Sequence, residues 1–343
     1  MKWLALDIGG ANLKLANGLG YAASHSFKMW ENAPQLATEL RTVIAEAPTA
    51  DHLAITMTGE LADCFESRTE GVLFIIRALE KVSDGRHLRI YLTNGDLVTT
   101  QVARQNPLQA ASSNWHAWAQ FTGRYAKQGT ALLIDVGSTT TDIIPLTDGI
   151  PAHTANNDLD RLLSSELVYT GIERSPICAL IDSTPYRGQF CPLAQEVFAT
   201  SRDAYLILEK LVEDENNLNT TDGRPASRAA ARIRMGRLIG ATGEQFTPAD
   251  AEQMAKLVLK KQTQLIATAI QQVASRQANE IQTVVISGHG SFLAQQALNK
   301  IGFVKKVVLL ENVLGQELSR CAPAHGLAVL AREGRSHDTI TSN

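Results

Sequence analysis

Residues 4–16 read LALDIGGANLKLA, and residues 132–144 read LLIDVGSTTTDII. Each stretch is an apolar run that meets an aspartate, turns through glycine and small polar residues, and resumes as an apolar run. Glycine permits a tight turn in which successive backbone N–H groups form a concave anion site. A carboxylate just before such a turn suits Mg²⁺, which takes oxygen ligands and keeps several waters. The two stretches together predict a phosphate clamp with a metal between its turns.

The first turn supplies Asp7 as a candidate catalytic and metal-binding residue, with Gly9 and Gly10 forming the turn. Asn12 offers an amide to a phosphate oxygen or to a metal-bound water. Lys14 adds a positive charge two residues later, on the same face of a returning strand. An ordinary hairpin, in which Asp and Gly fill turn positions, explains the same residues equally well.

The second turn supplies Asp135 as the matching metal ligand, and Asp142 as a second carboxylate near that metal or an exposed strand residue. β-Branched residues tolerate positive φ poorly, so a run of threonines is costly to explain as turn formation alone. A structural Ser/Thr turn remains the competing interpretation. The candidates for gripping a phosphate here are Gly137, Ser138, Thr139 and Thr140.

Three further segments carry candidate chemistry. Gly288, His289 and Gly290 follow a strand and precede a helix, an arrangement that brings N-terminal helix amides to a ligand. Glu60 lies in a polar turn after a strand and faces either a cleft or solvent. Residues 320–330 form a helix of small side chains, which permits close packing and predicts a hinge or a contact between lobes.

Composition excludes several classes of protein. The chain has 343 residues and a net charge of −3, which argues against general nucleic-acid binding. No apolar run reaches the roughly 18 residues of a membrane span, and the N-terminus enters a strand directly, so we expect a cytoplasmic protein without a membrane partner. The four cysteines match no zinc spacing.

Strand-like runs alternate with helical patterns, which predicts an α/β architecture. We expect an N-terminal lobe at residues 1–130, a C-terminal lobe at 131–331 with a helical insertion at about 156–280, and a frayed tail at 332–343. The predicted strands are Trp3–Ile8, Leu53–Met57, Leu88–Leu92, Ala131–Asp135, Asp142–Leu146, Thr283–Ser287 and Lys306–Leu310. The predicted helices are Ala33–Ala47, Val72–Lys81, Asp203–Asp214, Pro248–Gln277 and Phe292–Ile301.

This order of motifs resembles the actin/sugar kinase/Hsp70 superfamily. The resemblance implies a duplicated, two-lobed, ribonuclease H-like α/β fold with a helical insertion in the second lobe. It implies that the first two turns are phosphate loops and that residues 288–290 form the adenosine loop. Mg²⁺ is the cofactor that the paired aspartates predict, and ATP is a candidate ligand of the cleft beside a substrate diphosphate.

A narrower resemblance rests on three segments. They are LVYTGIERSP at 167–176, EVFAT at 196–200 and TDGRP at 221–225. They are similar to the hydantoinase/oxoprolinase branch, and within it to a group linked to tetrahydromethanopterin-dependent C1 transfer and methanofuran biosynthesis. That resemblance implies a transferase that joins a tyramine-glutamate phenol to an aminomethylfuran diphosphate and releases diphosphate. Arg174 and Arg224 are further candidates for binding phosphate, or else ordinary surface residues.

Two other functions fit the same turns. An ATP-dependent small-molecule kinase or a hydantoinase/oxoprolinase-like ATPase would need a general base, for which Asp142 and Glu60 are the candidates. A non-catalytic nucleotide-binding scaffold would bind tightly without turnover. The residues alone leave open whether ATP or a phosphorylated small-molecule substrate occupies the cleft, and they leave the oligomeric state open.

Overall fold

The computed structural model describes residues 1–334. A first sheet, the N-terminal sheet, has six strands in the order β3-β2-β1-β4-β5-β6. Its core strands β1 and β4 are almost continuously apolar because both faces of the sheet are covered. The strands are β1 Trp3–Ile8, β2 Asn12–Ala16, β3 Ala22–Ser26, β4 His52–Met57, β5 His87–Tyr91 and β6 Leu97–Val98.

The second sheet, the C-terminal sheet, has the order β10-β8-β7-β13-β14, with β9 pairing to β8. A separate hairpin of β11 and β12 lies between these strands in the chain. Their bounds are β7 Thr130–Val136, β8 Thr141–Thr147, β9 Ile150–Pro151, β10 Leu167–Val168, β11 Ser183–Tyr186, β12 Gln189–Pro192, β13 Thr283–Ser287 and β14 Lys306–Leu309.

Fifteen α-helices lie within residues 1–334. They are α1 Met29–Asn32, α2 Leu36–Glu46, α3 Arg68–Glu80, α4 Thr100–Gln105, α5 Pro107–Ala110, α6 Asn114–Thr122, α7 Asp158–Leu163, α8 Ile177–Leu180, α9 Ser201–Ile207, α10 Arg228–Arg237, α11 Pro248–Ser275, α12 Ser291–Lys300, α13 Leu310–Leu314, α14 Gln316–Arg320 and α15 Ala322–Glu333. The longest, α11, begins with a capping box between Thr247 and Asp250 and has proline in its first turn. No helix in this range combines the length and apolar character needed to cross a bilayer.

Helices α6 and α15 connect the two sheets. Ala117 of α6 and Leu327 of α15 pack with Ala5 of β1 in one buried cluster. The aromatic side chains of α6 pack on the other side against β7 and β8. The predicted small-residue helix therefore does contact both sheets, and Gly326 shows why its residues are small. A Cβ there would lie 2.8 Å from Trp118 Cε3.

The two sheets repeat one local arrangement, whose hairpin residues correspond at an offset of 128 residues. Asp7 of β1 pairs with Lys14 on the antiparallel strand and with Thr56 on the parallel strand. Asp135 of β7 pairs in the same way with Asp142 and Ser287. This correspondence in strand register is what the similarity of the two quoted stretches predicts. A domain boundary at residue 130 stays a prediction, because α15 packs on strands of the N-terminal sheet.

All seven predicted strands are present, within a residue or two of their predicted bounds. The helix predicted at Asp203–Asp214 is too long, because α9 ends at Ile207 and Glu209 takes a left-handed φ of 56°. The predicted frayed tail also starts too early in the sequence, at residue 332. Arg332 and Glu333 complete α15, and Arg124 pairs with Glu333. The rest of the predicted tail, residues 335–343, lies outside the described residues.

Candidate functional site

Both glycine turns open into one cleft of about 560 Å³. Most of the predicted site residues line this cleft, but Glu60 and Gly290 are not part of its lining. The predicted residues in the lining are Asp7, Gly9, Gly10, Asn12, Lys14, Asp135, Gly137, Ser138, Thr139, Thr140, Asp142, Gly288 and His289.

The two turns close with the same backbone hydrogen bond. Gly9 N donates to Asn12 O at 2.9 Å, and Gly137 N donates to Thr140 O at 2.9 Å. At the first turn glycine is required by space, since a Cβ on Gly9 would lie 2.9 Å from Asn12 O. The turns are therefore equivalent in backbone geometry as well as in sequence position.

Asp7 sits at the end of β1 with its carboxyl group buried. Thr56 Oγ1 donates to its Oδ1 at 3.2 Å. Burial raises the pKa of Asp7, while the charge of Lys14 and hydrogen bonds from Thr56 and Asn114 act in the opposite direction. The carboxylate is thus held on β1 by neighbours from three other segments.

Asp135 occupies the equivalent place in β7 but has a different electrostatic environment. Burial raises its pKa to about 6, and the charge of Asp142 on the paired strand adds to that rise. A hydrogen bond from Ser287 acts against it, and Trp118 Nε1 fixes that hydroxyl at 3.1 Å. Oδ1 of Asp135 is buried without a hydrogen-bond partner in the described chain. A buried carboxylate oxygen of this kind is available to a ligand.

The third loop packs directly on the second turn. Gly288 has a φ of 83°, and a Cβ there would lie 2.2 Å from the carbonyl oxygen of Val136. Gly290 N donates to that same oxygen at 3.0 Å. His289 reaches the cleft and places Nε2 3.3 Å from Oε1 of Glu173. Burial raises the pKa of Glu173, but hydrogen bonding from His289 and the charge of Arg202 outweigh it and lower the pKa to about 2.

Asp142 lines the cleft and pairs with a buried arginine. Arg161 Nη2 donates to Asp142 Oδ1 at 2.7 Å, and its guanidinium stacks 4.1 Å above the Trp115 ring. Burial raises the pKa of Asp142 and the Arg161 charge lowers it. No sequence pattern pointed to Arg161, which lies on α7 and is brought to the hairpin by tertiary packing.

Glu60 is only 1% exposed and bonds to Ser112 rather than facing the cleft. Its Oε1 accepts from Ser112 N at 2.9 Å and lies 3.0 Å from Ser112 Oγ. Ser112 Oγ also lies 3.0 Å from Oδ2 of Asp158. Both Ser112 and Asp158 line the cleft, and sequence patterns singled out neither of them.

The Tyr-Thr-Gly segment and the residues that follow it contact the backbone of the second turn. Ile172 N donates to Gly137 O at 3.1 Å, and Glu173 N donates to Ser138 O at 2.9 Å. A Cβ on Gly171 would lie 2.5 Å from the carbonyl carbon of Ser138, so only glycine permits this approach. Gln262 Nε2 fixes the segment by donating to Thr170 Oγ1 at 2.7 Å.

The two arginines proposed for phosphate binding separate in space. Arg174 lines the cleft, and its backbone N–H donates to Ser138 O at 3.1 Å. Its guanidinium carbon lies 5.1 Å from the centre of the Trp30 ring. Arg224 is not in the cleft lining and lies near Asp222 at 3.9 Å. Arg320 is a further cation in the lining that the sequence did not indicate.

The carboxylates fit a magnesium ion that also has substrate and water ligands. Among the side chains that the structure describes, no three from His, Cys, Asp or Glu are arranged to hold a metal by themselves. Asp7 and Asp135 nevertheless line the same cleft, and Asp135 has the unpartnered Oδ1. Mg²⁺ is commonly held by one or two carboxylates together with substrate phosphates and waters. The donor set suits that mode of binding.

A sequence profile described as hydantoinase/oxoprolinase matches residues 51–333. A protein of Methanocaldococcus jannaschii named (4-{4-[2-(gamma-L-glutamylamino)ethyl]phenoxymethyl}furan-2-yl)methanamine synthase is 32% identical over 333 residues, which cover 96% of this chain and 97% of that protein. A protein of the same name from Methanococcus vannielii is 28% identical over 203 residues, covering 59% of this chain and 90% of that protein.

Among solved structures, a chain of the PilM–PilN type IV pilus biogenesis complex aligns with a TM-score of 0.50. The alignment covers 96% of this chain and 98% of that chain at 14% identity. At that identity the likeness concerns the fold alone. Together with the repeated strand arrangement, it confirms the predicted two-lobed actin/sugar kinase/Hsp70-like α/β class.

Proposed function

Since this chain belongs to the hydantoinase/oxoprolinase family, we propose that its paired turns serve the ether-forming reaction of the synthases it matches. The substrates would be a tyramine-glutamate phenol and an aminomethylfuran diphosphate, and the second product would be diphosphate. The reaction belongs to methanofuran biosynthesis, and a cytoplasmic location is part of the proposal. The observation that carries it is the equivalent closure of two glycine turns on one cleft.

The chemistry requires the cleft to stabilise a departing anion. The phenolic oxygen forms a bond to the methylene carbon, and the bond from that carbon to the diphosphate oxygen breaks. Backbone N–H groups of both turns, together with Lys14 and Arg174, supply donors and positive charge where the negative charge grows. Donors placed in advance of the reaction need no rearrangement as the charge develops.

Asp7 and Asp135 would hold Mg²⁺ between the two turns, where the ion would neutralise charge on the diphosphate. The two sites differ because Asp7 faces Lys14 whereas Asp135 faces Asp142. The surplus of negative charge around Asp135 favours a cation there. Thr56 and Ser287 keep each carboxylate at the end of its strand through their hydroxyl groups.

The experiment is a coupled assay of diphosphate release with purified protein, both substrates and Mg²⁺, in the absence of ATP. We expect ether product and diphosphate in equal amounts. Asp7→Asn and Asp135→Asn should each lower the rate at least about 100-fold, the scale of losing a group that stabilises transition-state charge. Asp63→Asn, which removes an exposed carboxylate from the same cleft, is the matched control and should retain the rate. Diphosphate that appears only when ATP is supplied would contradict the proposal.

A kinase or ATPase is the second candidate, and the specific observation that favours it is the Gly288 loop packed against the second turn. Such an enzyme would turn over ATP in the presence of a small-molecule acceptor. A scaffold would instead bind nucleotide without turnover, and Asp7→Ala would change its conformation without changing any rate. Binding measured with ATP, ADP and diphosphate in parallel separates the three functions.

A further inference from the structure

Ser112 places one hydroxyl group between two carboxyl groups. Its Oγ lies 3.0 Å from Oε1 of Glu60 and 3.0 Å from Oδ2 of Asp158. A serine hydroxyl carries a single proton and can donate it to only one of these oxygens. The other contact is a hydrogen bond only if one of the carboxyl groups carries a proton. Both short contacts are therefore satisfied when the trio holds one additional proton.

The surroundings place that proton on Glu60. Arg68 Nη2 lies 3.2 Å from Asp158 Oδ2, and pairing with a guanidinium favours an ionised carboxylate. Glu60 is buried, and its Oε2 has no hydrogen-bond partner in the described chain. An ionised carboxylate with a bare buried oxygen costs far more than a neutral one. Glu60 then donates a hydrogen bond to the Ser112 hydroxyl, and that hydroxyl donates one to Asp158.

The fold holds these three hydrogen-bonded side chains in place through a strained backbone conformation at Ser112. Ser112 has a φ of 48°, a left-handed conformation that is unfavourable outside glycine and persists only where the surroundings impose it. Helix α3 covers Glu60 so closely that a Cβ on Gly71 would lie 2.6 Å from Glu60 Cα. The charged groups around Glu60 in the described chain are Asp158, across Ser112, and Arg68, which pairs with Asp158. Burial, with a contribution from the Asp158 charge, raises the pKa of Glu60 to about 7.

Asp158 connects the buried side chains of Glu60 and Ser112 to the cleft. Within the described residues, Ser112 and Arg68 both donate to its Oδ2, and the side chain lines the cleft. Oδ1 therefore remains for a group bound in the cleft. Resting on the proposed ether-forming reaction, we infer that Asp158 accepts the phenolic proton, and that Glu60 and Ser112 are positioning residues that hold Asp158 as an anion.

The step balances as follows. The phenol O–H bond breaks and its proton moves to Oδ1 of Asp158, while the phenolic oxygen forms the new bond to the methylene carbon. The carbon–oxygen bond to diphosphate breaks, and its electron pair leaves with the diphosphate. Asp158 afterwards releases the proton to water in the opened cleft. Glu60 keeps its own proton throughout.

The test is the pH profile of kcat for wild type and five variants, with both substrates and Mg²⁺. Loss of a general base costs about 10² to 10⁴ in rate, so we expect Asp158→Asn to fall in that range. Glu60→Ala should lower kcat at every pH. Glu60→Gln fills the same space but cannot both accept the Ser112 N–H and donate to Ser112 Oγ at one atom, so it should recover kcat only in part. The rate of wild type should fall above about pH 7, where Glu60 ionises, and Glu60→Gln should lack that fall. Glu66→Gln, at an exposed glutamate outside the cleft lining, should follow the wild-type profile.

Three results would overturn the inference. If Glu60→Gln keeps the wild-type fall at high pH, Glu60 does not act through its proton. If Asp142→Asn loses the rate while Asp158→Asn retains it, the proton acceptor is Asp142. If wild type forms no ether without ATP but is folded by circular dichroism, the proposed function itself fails and this inference fails with it. The first two results leave the proposed function standing, so the two failures can be distinguished.

Discussion

The neutral state of Glu60 can be tested through stability, independently of any reaction. An acid whose pKa is raised in the folded protein stabilises the fold most below its unfolded pKa, and that stability is lost as pH rises toward the folded pKa. For Glu60 the window runs from 4.5 to about 7. Above it, folding must pay for a buried carboxylate that the unfolded chain exposes to water. Replacing Glu60 with glutamine removes this dependence on pH.

The magnitude follows from the two pKa values. Each pKa unit is worth about 1.36 kcal/mol, so the full effect at high pH is ~3 kcal/mol. Between pH 5 and pH 8, we expect the stability of Glu60→Gln relative to wild type to increase by about 2–3 kcal/mol. Other titrating groups, including Asp135, contribute to both proteins and largely cancel in the difference.

Urea unfolding followed by tryptophan fluorescence at pH 5, 6, 7 and 8 measures this difference directly. Glu66→Gln is the matched control, because Glu66 is an exposed glutamate just before α3 and should give a difference that does not change with pH. A constant difference between wild type and Glu60→Gln across the four pH values would refute the reasoning. It would mean that Glu60 is already ionised at pH 5 in the folded protein.

Other changes test the turns and the helices that connect the sheets. Gly171→Ala puts a Cβ 2.5 Å from the carbonyl carbon of Ser138, so diphosphate affinity measured by calorimetry should fall at least about tenfold as the turn shifts. Gly326→Ala drives a methyl against Trp118 and should lower unfolding free energy by about 1–3 kcal/mol in urea, without changing the m-value. Asp135→Asn should abolish the Mg²⁺ dependence of diphosphate binding in the same calorimeter, while its far-UV circular dichroism stays that of wild type.

Continuous apolar runs made the central strands predictable from the sequence. Strands β1, β4, β7 and β13 are covered on both faces, so almost every residue in them is apolar. The aspartate-glycine turns were also recognisable, because the same residue types repeat at an offset of 128 residues and Gly9 has no room for a Cβ. These features fix the phosphate side of the cleft, since parallel and hairpin strands of each sheet end at the same edge.

Helix α6 could not be predicted in the same way, although it connects the two sheets. It packs against both, with Trp118 toward the C-terminal sheet and Ala117 toward the N-terminal sheet, so nearly all of its residues are buried and no polar face contrasts with an apolar one. Helix α10 could not be predicted either, but for the opposite reason. It is rich in arginine, and the buried Arg234 is stabilised by Asp203 at 2.7 Å, a pairing visible only in three dimensions.

The acidic side of the cleft was hidden from the sequence because it is assembled across long separations. Ser112 meets Glu60 over 52 residues and Asp158 over 46 residues. Asp158 itself reads as part of an ordinary helix start, since Asn157 caps α7. Nothing local distinguishes such an aspartate from the many that favour the first helical turn.

The internal repeat is most informative where its two copies differ. Position 14 is a lysine, and the equivalent position 142 is an aspartate. One turn therefore pairs its aspartate with a cation, while the other adds a second negative charge beside Asp135. Asp158 lies close enough to Asp142 to raise the pKa of its carboxyl group, although burial contributes more and Arg161 opposes both. The cleft consequently runs from a cationic wall to an acidic one. A substrate with a diphosphate at one end and a proton to lose near the other is favoured in a single orientation by that field.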